Sequence, residues 1–415
     1  MPTMDRPDAP DARRWSDDPV ECGSAAGFGV YLHVPFCTHR CGYCDFATDA
    51  VGTRDPDDRA SRFARYTDAL VADLRAQVAA GPRGLAPPDA AVPERWRTVT
   101  SIFVGGGTPT LLGAGRLGRI LGAVHAELDV AADAEVTVEC NPETASVELF
   151  AGLATAGVTR VSMGAQSFAP HVLSTLERGH TADRPVQAVA EARAGGIPEV
   201  SLDLIYGTPG ESDGDWAATL DAVVAAGVDH VSAYALTIHA DTPFGRAIGR
   251  GAMSQPDEDA QRDRFDHART TLAAAGFDHY EVSNWSRGPA QRSRHNVLYW
   301  RHGDYLGVGV GAHAHLDGRR WWTTRSTDRY LREVAAGHHE PAGAEVLDDA
   351  ERAVERLLLG LRLREGLHPT DVPPLDPLAL EDALSAGLVE TACGRLRCTE
   401  HGWFLLDEAV ARLAP

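Results

Sequence analysis

Tyr31-Leu32-His33-Val34-Pro35-Phe36-Cys37-Thr38-His39-Arg40-Cys41-Gly42-Tyr43-Cys44-Asp45-Phe46 places three cysteines at C-x3-C-x2-C spacing directly after an apolar run. Thiolates crowded this closely repel one another unless a metal centre takes them up. Clustered cysteines are the usual ligands of an iron–sulfur cubane. Three protein ligands on a [4Fe-4S] cluster would leave one iron open. Zinc is a competing reading, but structural zinc prefers four protein ligands, and Cys22, His33 or His39 would have to supply the fourth. A disulfide plus a free thiol is a third reading. It suits poorly a chain with no recognisable signal peptide and with its other cysteines scattered.

Working outward, the chain has 415 residues, enough for one large domain and a smaller one. An apolar content of 44% with 41 Gly and 25 Pro is that of a globular chain. Its 39 Lys and Arg against 59 Asp and Glu give a formal charge of −20, which argues against a nucleic-acid partner. No apolar run reaches the length of a membrane span, so no integral membrane segment is expected. Residues 1–27, rich in Asp, Arg and Pro at their start, read as a disordered tail. The expected location is the cytoplasm, a reducing compartment that suits free thiols.

Residues 28–34 read as a buried strand that delivers the cysteine loop at its C-terminal end. Phe63, Tyr66, Leu70, Leu74 and Val78 recur at steps of three and four, predicting an amphipathic helix. Residues 81–97 carry four prolines and read as a loop within a longer insertion over 48–98. Strands are then expected at 98–104, 135–139, 158–163, 199–205 and 230–236, with helices between them and a further helix at 256–275. Six alternating strand–helix units predict a parallel sheet with right-handed crossovers, here an open, partial (β/α)6 TIM-like barrel over residues 28–276. Residues 277–345 read as an added strand, an aromatic loop and a connector. Residues 346–415 read as a small α+β, winged-helix-like module used for packing.

Polar motifs follow the strands, on the face where parallel barrels build their sites. Gly105-Gly106-Gly107-Thr108-Pro109 is a turn whose backbone can approach a ligand without Cβ interference; read alone, it is a tight turn. Glu139 and Asp203 stand at or in strands, where they could bind hydroxyl or ammonium groups or form ion pairs with Arg160 or Arg178. Gln166 offers an amide at a strand mouth, and Arg178 a planar fork for a carboxylate. Cys140 reads as a buried small hydrophobe, while Cys22, Cys393 and Cys398 match no motif.

The cysteine spacing resembles the radical S-adenosylmethionine (SAM) superfamily, in which SAM chelates the open iron. Further motifs narrow the likeness over residues 28–400. They are Tyr31-x-His33-x-Pro35-Phe36-Cys37, Gly105-Gly106-Gly107-Thr108-Pro109-Thr110, Glu139-x-Asn141-Pro142, Gln166-Ser167-Phe168, Leu176-x-Arg178-x-His180 and Asp203 to Gly210. The set resembles the oxygen-independent coproporphyrinogen III oxidase family. The resemblance implies cluster ligation by Cys37, Cys41 and Cys44. It implies SAM contact by Tyr31, Gly106, Gly107, Thr108, Glu139, Gln166, Arg178 and Asp203, with Tyr43 and Ala235 as further candidates.

Within that family, true oxidases carry a fourth cysteine two residues after the third, and here that position is Phe46. They also carry a longer N-terminal segment. His295-Asn296-Val297-Leu298-Tyr299-Trp300 instead matches the H-N-x-x-Y-W motif of the oxidase-like heme chaperones, the HemW group, as do Gly303 to Gly309 and Gly311-Ala312-His313. Imidazole is a common axial haem ligand, and Tyr299 and Trp300 could stack on a macrocycle. A packed aromatic loop is the structural alternative, and the sequence does not choose between His295 and His313. Two functions follow as expectations. One is a chaperone that binds haem as cargo and delivers it to membrane respiratory haem proteins, with no residue assigned as catalytic. The other is an oxidase whose SAM-derived radical abstracts hydrogen from the propionates of coproporphyrinogen III, with loss of carbon dioxide.

Overall fold

The computed structural model describes residues 27–85, 95–372 and 374–414. The strand carrying the cysteine loop is β1 (Phe28–Val34), with Phe28, Val30, Leu32 and Val34 all buried. Two short strands, β2 (Phe36–Cys37) and β3 (Asp49–Ala50), pair in parallel across the base of the loop. There follow β4 (Val99–Gly106), β5 (Val130–Cys140), β6 (Arg160–Gln166), β7 (Glu199–Tyr206) and β8 (His230–Ala235). Each pairs in parallel with the one before it, starting from β1. Their near-continuous runs of buried Val, Ile and Leu are what a parallel sheet covered by helices requires. The fold class expected from the alternation is therefore the one observed.

Three features go beyond that expectation. The first helix runs over Pro56–Leu85, and begins well before Phe63. Its first turn is exposed and polar, with Pro56 at the start and Asp57 and Asp58 next, so it lacks the apolar period by which a helix is read. The segment expected as a proline loop is helical to Leu85, interrupted at Gly81 (φ 72°); residues 86–94 lie outside the described residues. Second, β9 (Asp278–Glu281) and β10 (Asn284–Ser286) form a hairpin that extends the sheet antiparallel beyond β8. Third, β11 (Asp304–Val308) lies parallel to β1 on its free side, as a seventh parallel strand. It is continued antiparallel by β12 (His313–Leu316), β13 (Arg319–Trp322) and β14 (Gly343–Val346). Among the described residues the sheet thus has twelve strands, ends on β14 and β9, and stays open.

The aromatic stretch expected as a loop is a helix, Arg294–Trp300. Ser293 caps it through Asn296 N–H (3.3 Å), and the Glu135 carboxylate accepts from Arg294 and His295 N–H (2.8 and 3.2 Å). A carboxylate on the first free amides of a helix is favourable on both hydrogen-bonding and dipole grounds.

The C-terminal region carries helices Asp349–Gly360 and Pro377–Ser385, the hairpin of β15 (Val389–Ala392) and β16 (Arg395–Cys398), and helices Glu400–Phe404 and Leu406–Leu413. It packs on the sheet's β9 end. Trp403 inserts edge-on against His279, with ring centroids 4.5 Å apart, and donates Nε1–H to Leu361 O. Cys393 sits in the hairpin turn and Cys398 is buried opposite Val389; both are free thiols. The tail expected over residues 1–27 lies outside the described residues except for Gly27.

Candidate functional site

Two neighbouring cavities open at the C-terminal ends of the parallel strands. The first, of about 520 Å³, is walled by the cysteine loop and the ends of β4 to β8. This is within the usual size of a small-molecule site, roughly 300–1,000 Å³. All the residues expected around SAM line it except Tyr31. The three cysteines line it as well and are half-buried.

The loop is clamped at its base by Asp49 N–H to Pro35 O (2.7 Å) and Val51 N–H to Cys37 O (2.9 Å). A turn closes Cys44 N–H onto Cys41 O (3.1 Å). Burial, with the neighbouring Cys44 next, pushes the Cys37 thiol up to about 12; burial also raises Cys44. Such sulfurs become thiolates when a cationic metal centre draws off their protons, so the donor set fits an iron–sulfur cluster. Arg178 is not the surface arginine its sequence context allowed. Its Nη1 points at Cys41 Sγ (3.8 Å), Nη2 donates to Gly164 O (2.9 Å), and its buried Nε has no partner among the described residues. An orphaned buried N–H is costly and would be met by an anionic ligand group in this cavity. The zinc reading loses a ligand, because both His33 nitrogens are engaged, with Tyr31 OH (2.9 Å) and Ala47 O (2.9 Å).

Neither carboxylate forms an ion pair among the described residues. Glu139 accepts Gly106 N–H (2.8 Å), and Asp203 accepts the Ser162 hydroxyl (2.9 Å). Burial pushes the Glu139 carboxyl up to about 7, and Asp203 adds to this against the Gly106 hydrogen bond. The sign of the resulting pH dependence follows. Between about 4.5 and 7 the folded ligand-free chain keeps a proton that the unfolded chain has lost. Stability from this group is full below about 4.5 and falls as pH rises to about 7, by up to roughly 3 kcal/mol. Denaturant titrations across that range should show the fall in the wild type and its absence in Glu139→Gln; parallel curves would contradict the placement.

The glycine turn serves the cysteine loop directly. Gly107 N–H donates to Val34 O (2.8 Å) and Thr108 N–H to Phe36 O (2.6 Å). A Cβ on Gly107 would stand 2.6 Å from Phe36 O and 2.7 Å from Pro35 O, both backbone atoms. Gly107→Ala is therefore expected to cost about 1–3 kcal/mol and to loosen the loop. Thermal melting together with iron content after reconstitution would check this. Gln166 stands at φ 65°, beside a register irregularity between Gly164 and its own position. A left-handed backbone is unfavourable for such a residue, and here it marks the strand's end at the cavity wall.

The second cavity, of about 380 Å³, adjoins the first, and Gly106 and Glu139 line both. Tyr31 lies here, with Tyr299, Tyr305 and His313. The three residues expected at haem are not brought together. His295 and Tyr299 are four apart on one helical face, while Trp300, at about 100° per residue, turns away from both. His295 is 1% exposed and lines neither cavity. Its Nδ1 is bonded to Ser101 Oγ (2.9 Å) and its Nε2 to Tyr299 OH (2.8 Å), and its ring stacks on Phe103. Trp300 lies under the Arg362 guanidinium, 4.2 Å from ring centroid to Cζ.

Sequence reasoning passed over Ser162, His230 and Tyr234 as wall residues of the first cavity and Arg325 of the second, and gave Tyr305, inside the Gly303 to Gly309 match, no role of its own. His230 and Tyr234 belong to one strand, and the period-2 alternation was the available signal. Arg325 has no local signal at all.

A parallel sheet with a three-cysteine loop at its mouth and a ring of polar strand ends defines a radical SAM protein. Residues 31–223 match the radical SAM superfamily, and residues 347–405 match the HemN C-terminal domain. A radical SAM domain implies a [4Fe-4S] cluster and SAM. The chain belongs to the heme chaperone HemW family. It is 44% identical over 390 residues to the heme chaperone HemW of Mycobacterium tuberculosis, covering 93% of this chain and 94% of that protein. Identity to the heme chaperone HemW of Escherichia coli is 32% over 388 residues, covering 91% and 96%. Coproporphyrinogen III oxidase (HemN) from Escherichia coli, a radical SAM enzyme, has the same fold, with a TM-score of 0.75 at 20% identity over 94% of this chain and 90% of that one. No described helix is long and apolar enough to cross a membrane.

Proposed function

We propose that this chain is a cytoplasmic haem chaperone that holds a [4Fe-4S] cluster on Cys37, Cys41 and Cys44, with SAM beside it, and passes haem to membrane respiratory haem proteins. The observation that carries the reading is the 44% identity, across nearly the full length of both chains, to a protein named heme chaperone HemW. Cluster and SAM together supply one-electron chemistry at a sulfonium centre. The chain's own residues bind and orient. The Arg178 Nε–H, buried and without a partner among the described residues, would meet the SAM carboxylate. Glu139, its carboxyl raised to about 7 by burial, would pair with the ligand's ammonium group. Asp203, already accepting a serine hydroxyl, has room for ribose hydroxyls. Gln166, Thr108, Tyr43, Ala235 and the Gly106–Gly107 backbone complete the walls.

Phe46, 58% exposed at the rim shared by both cavities, stands where the oxidases place a fourth cysteine. Anaerobically reconstituted protein, loaded with haem, should transfer it to a respiratory apoprotein in membranes. Incubated with coproporphyrinogen III, SAM and a reductant, it should not form protoporphyrinogen IX. Turnover to protoporphyrinogen IX at enzymatic rates, or no haem binding at all, would overturn the proposal.

A further inference from the structure

His313 has no structural employment of the kind that occupies His295. It opens β12, where it pairs across the sheet with Trp322 of β13, and its ring stacks on that indole (centroids 5.7 Å apart, 26° between planes). It is exposed, lines the second cavity, and its ring nitrogens have no hydrogen-bond partner among the described residues. Arg325, also exposed, lines the same cavity and donates from Nη2 to Asp45 O of the cysteine loop, its other N–H groups having no hydrogen-bond partner among the described residues. Tyr299, Tyr305, Tyr31 and Phe46 supply aromatic walls.

We propose, resting on the haem-chaperone reading, that haem sits in this second cavity with the His313 imidazole as its axial iron ligand and Arg325 paired to a propionate. The chemistry required is that of a flat aromatic ligand with a Lewis-acidic centre and carboxylate edges. An imidazole with a free lone pair suits the iron, a guanidinium suits a carboxylate, and tyrosine and phenylalanine rings suit the macrocycle. The backing indole holds the imidazole plane without consuming either nitrogen. Burial, then the nearby Arg325 and Arg320 charges, lower the basicity of His313, so the ring is neutral near pH 7 and its lone pair is not lost to a proton. His295 is unsuited to the role, since ligation would take a nitrogen from Ser101 or Tyr299 deep in the core. Both His313 and Arg325 lie on the exposed side, so bound haem keeps an edge in solvent. That suits a cargo that must leave.

The test is a ferric haem titration of the full-length, anaerobically reconstituted chain, followed by absorption and electron paramagnetic resonance spectra. His313→Ala should lose the histidine-ligated signature and bind about tenfold more weakly or worse, and free imidazole should restore the signature. Arg325→Ala should weaken binding by about tenfold, the worth of a charge-assisted pair, with the signature unchanged. His295→Gln, which keeps a polar side chain in the core, should retain the wild-type spectrum. A His313→Ala protein with wild-type spectrum and affinity would overturn the assignment. Loss of the signature in His295→Gln with an unaltered melting curve would also overturn it, and in either case the chaperone reading would stand. A wild-type chain that binds no haem would instead reject the chaperone reading itself.

Discussion

Cys41→Ala is expected to abolish the cluster while leaving the chain folded. Reconstituted under anaerobic conditions, the wild type should hold on the order of four irons and four sulfides, and the variant should hold close to none. The reasoning is local. Cys41 lies at the tip of a loop clamped at its base by β2 and β3, so removing its half-buried sulfur leaves the clamp intact. Arg178 donates to that sulfur from Nη1, at 3.8 Å. Loss of the thiolate leaves the cluster with two protein ligands and the guanidinium without its anion. Cys393→Ala, in an exposed hairpin turn at the far end of the chain, should leave iron content unchanged. Iron retained in Cys41→Ala, or stoichiometric zinc in the wild type, would remove the basis of the proposed function.

His295→Ala is expected to lower stability by about 2–4 kcal/mol, the combined effect of a core void and two stranded hydroxyl groups. The imidazole is buried, bonded through both nitrogens, and stacked on Phe103, which itself stacks on Tyr31 of β1. Its removal therefore loosens the contact between the Arg294–Trp300 helix and the sheet. A shift in the denaturant midpoint, with unchanged slope, would measure the loss. A variant as stable as the wild type would contradict the placement of His295. The distinction matters for reading such a variant, because weakened haem binding after His295→Ala would reflect a disturbed Tyr299 wall rather than a lost iron ligand.

The cysteine loop, the six strands and the wall of the first cavity were legible because each is announced within a few residues. A C-x3-C-x2-C run, a buried strand and a glycine turn are local statements, and strand alternation carries each to the same rim. Tyr31, from β1, lines the adjoining second cavity beside Gly106 and Glu139, which line both. Its hydroxyl is taken by His33, and its ring faces the second cavity. Arg325 reaches that cavity from a segment with no motif of its own, and Tyr305 from within the Gly303 to Gly309 match, where nothing marked its role.

From the sequence alone came the parallel alternation, the sulfur ligand set and the polar strand ends, since these depend on hydrophobic period and on neighbours along the chain. Tertiary structure alone decided that β11 joins the free edge of β1, which builds a second cavity beside the first. It also decided that the His295 imidazole is buried and bonded through both nitrogens, and that His313 is exposed with no hydrogen-bond partner on its ring nitrogens among the described residues. The physical reason is the same in each case. Which atoms of a polar side chain are already hydrogen-bonded, and which still face solvent, depends on partners far away in the chain.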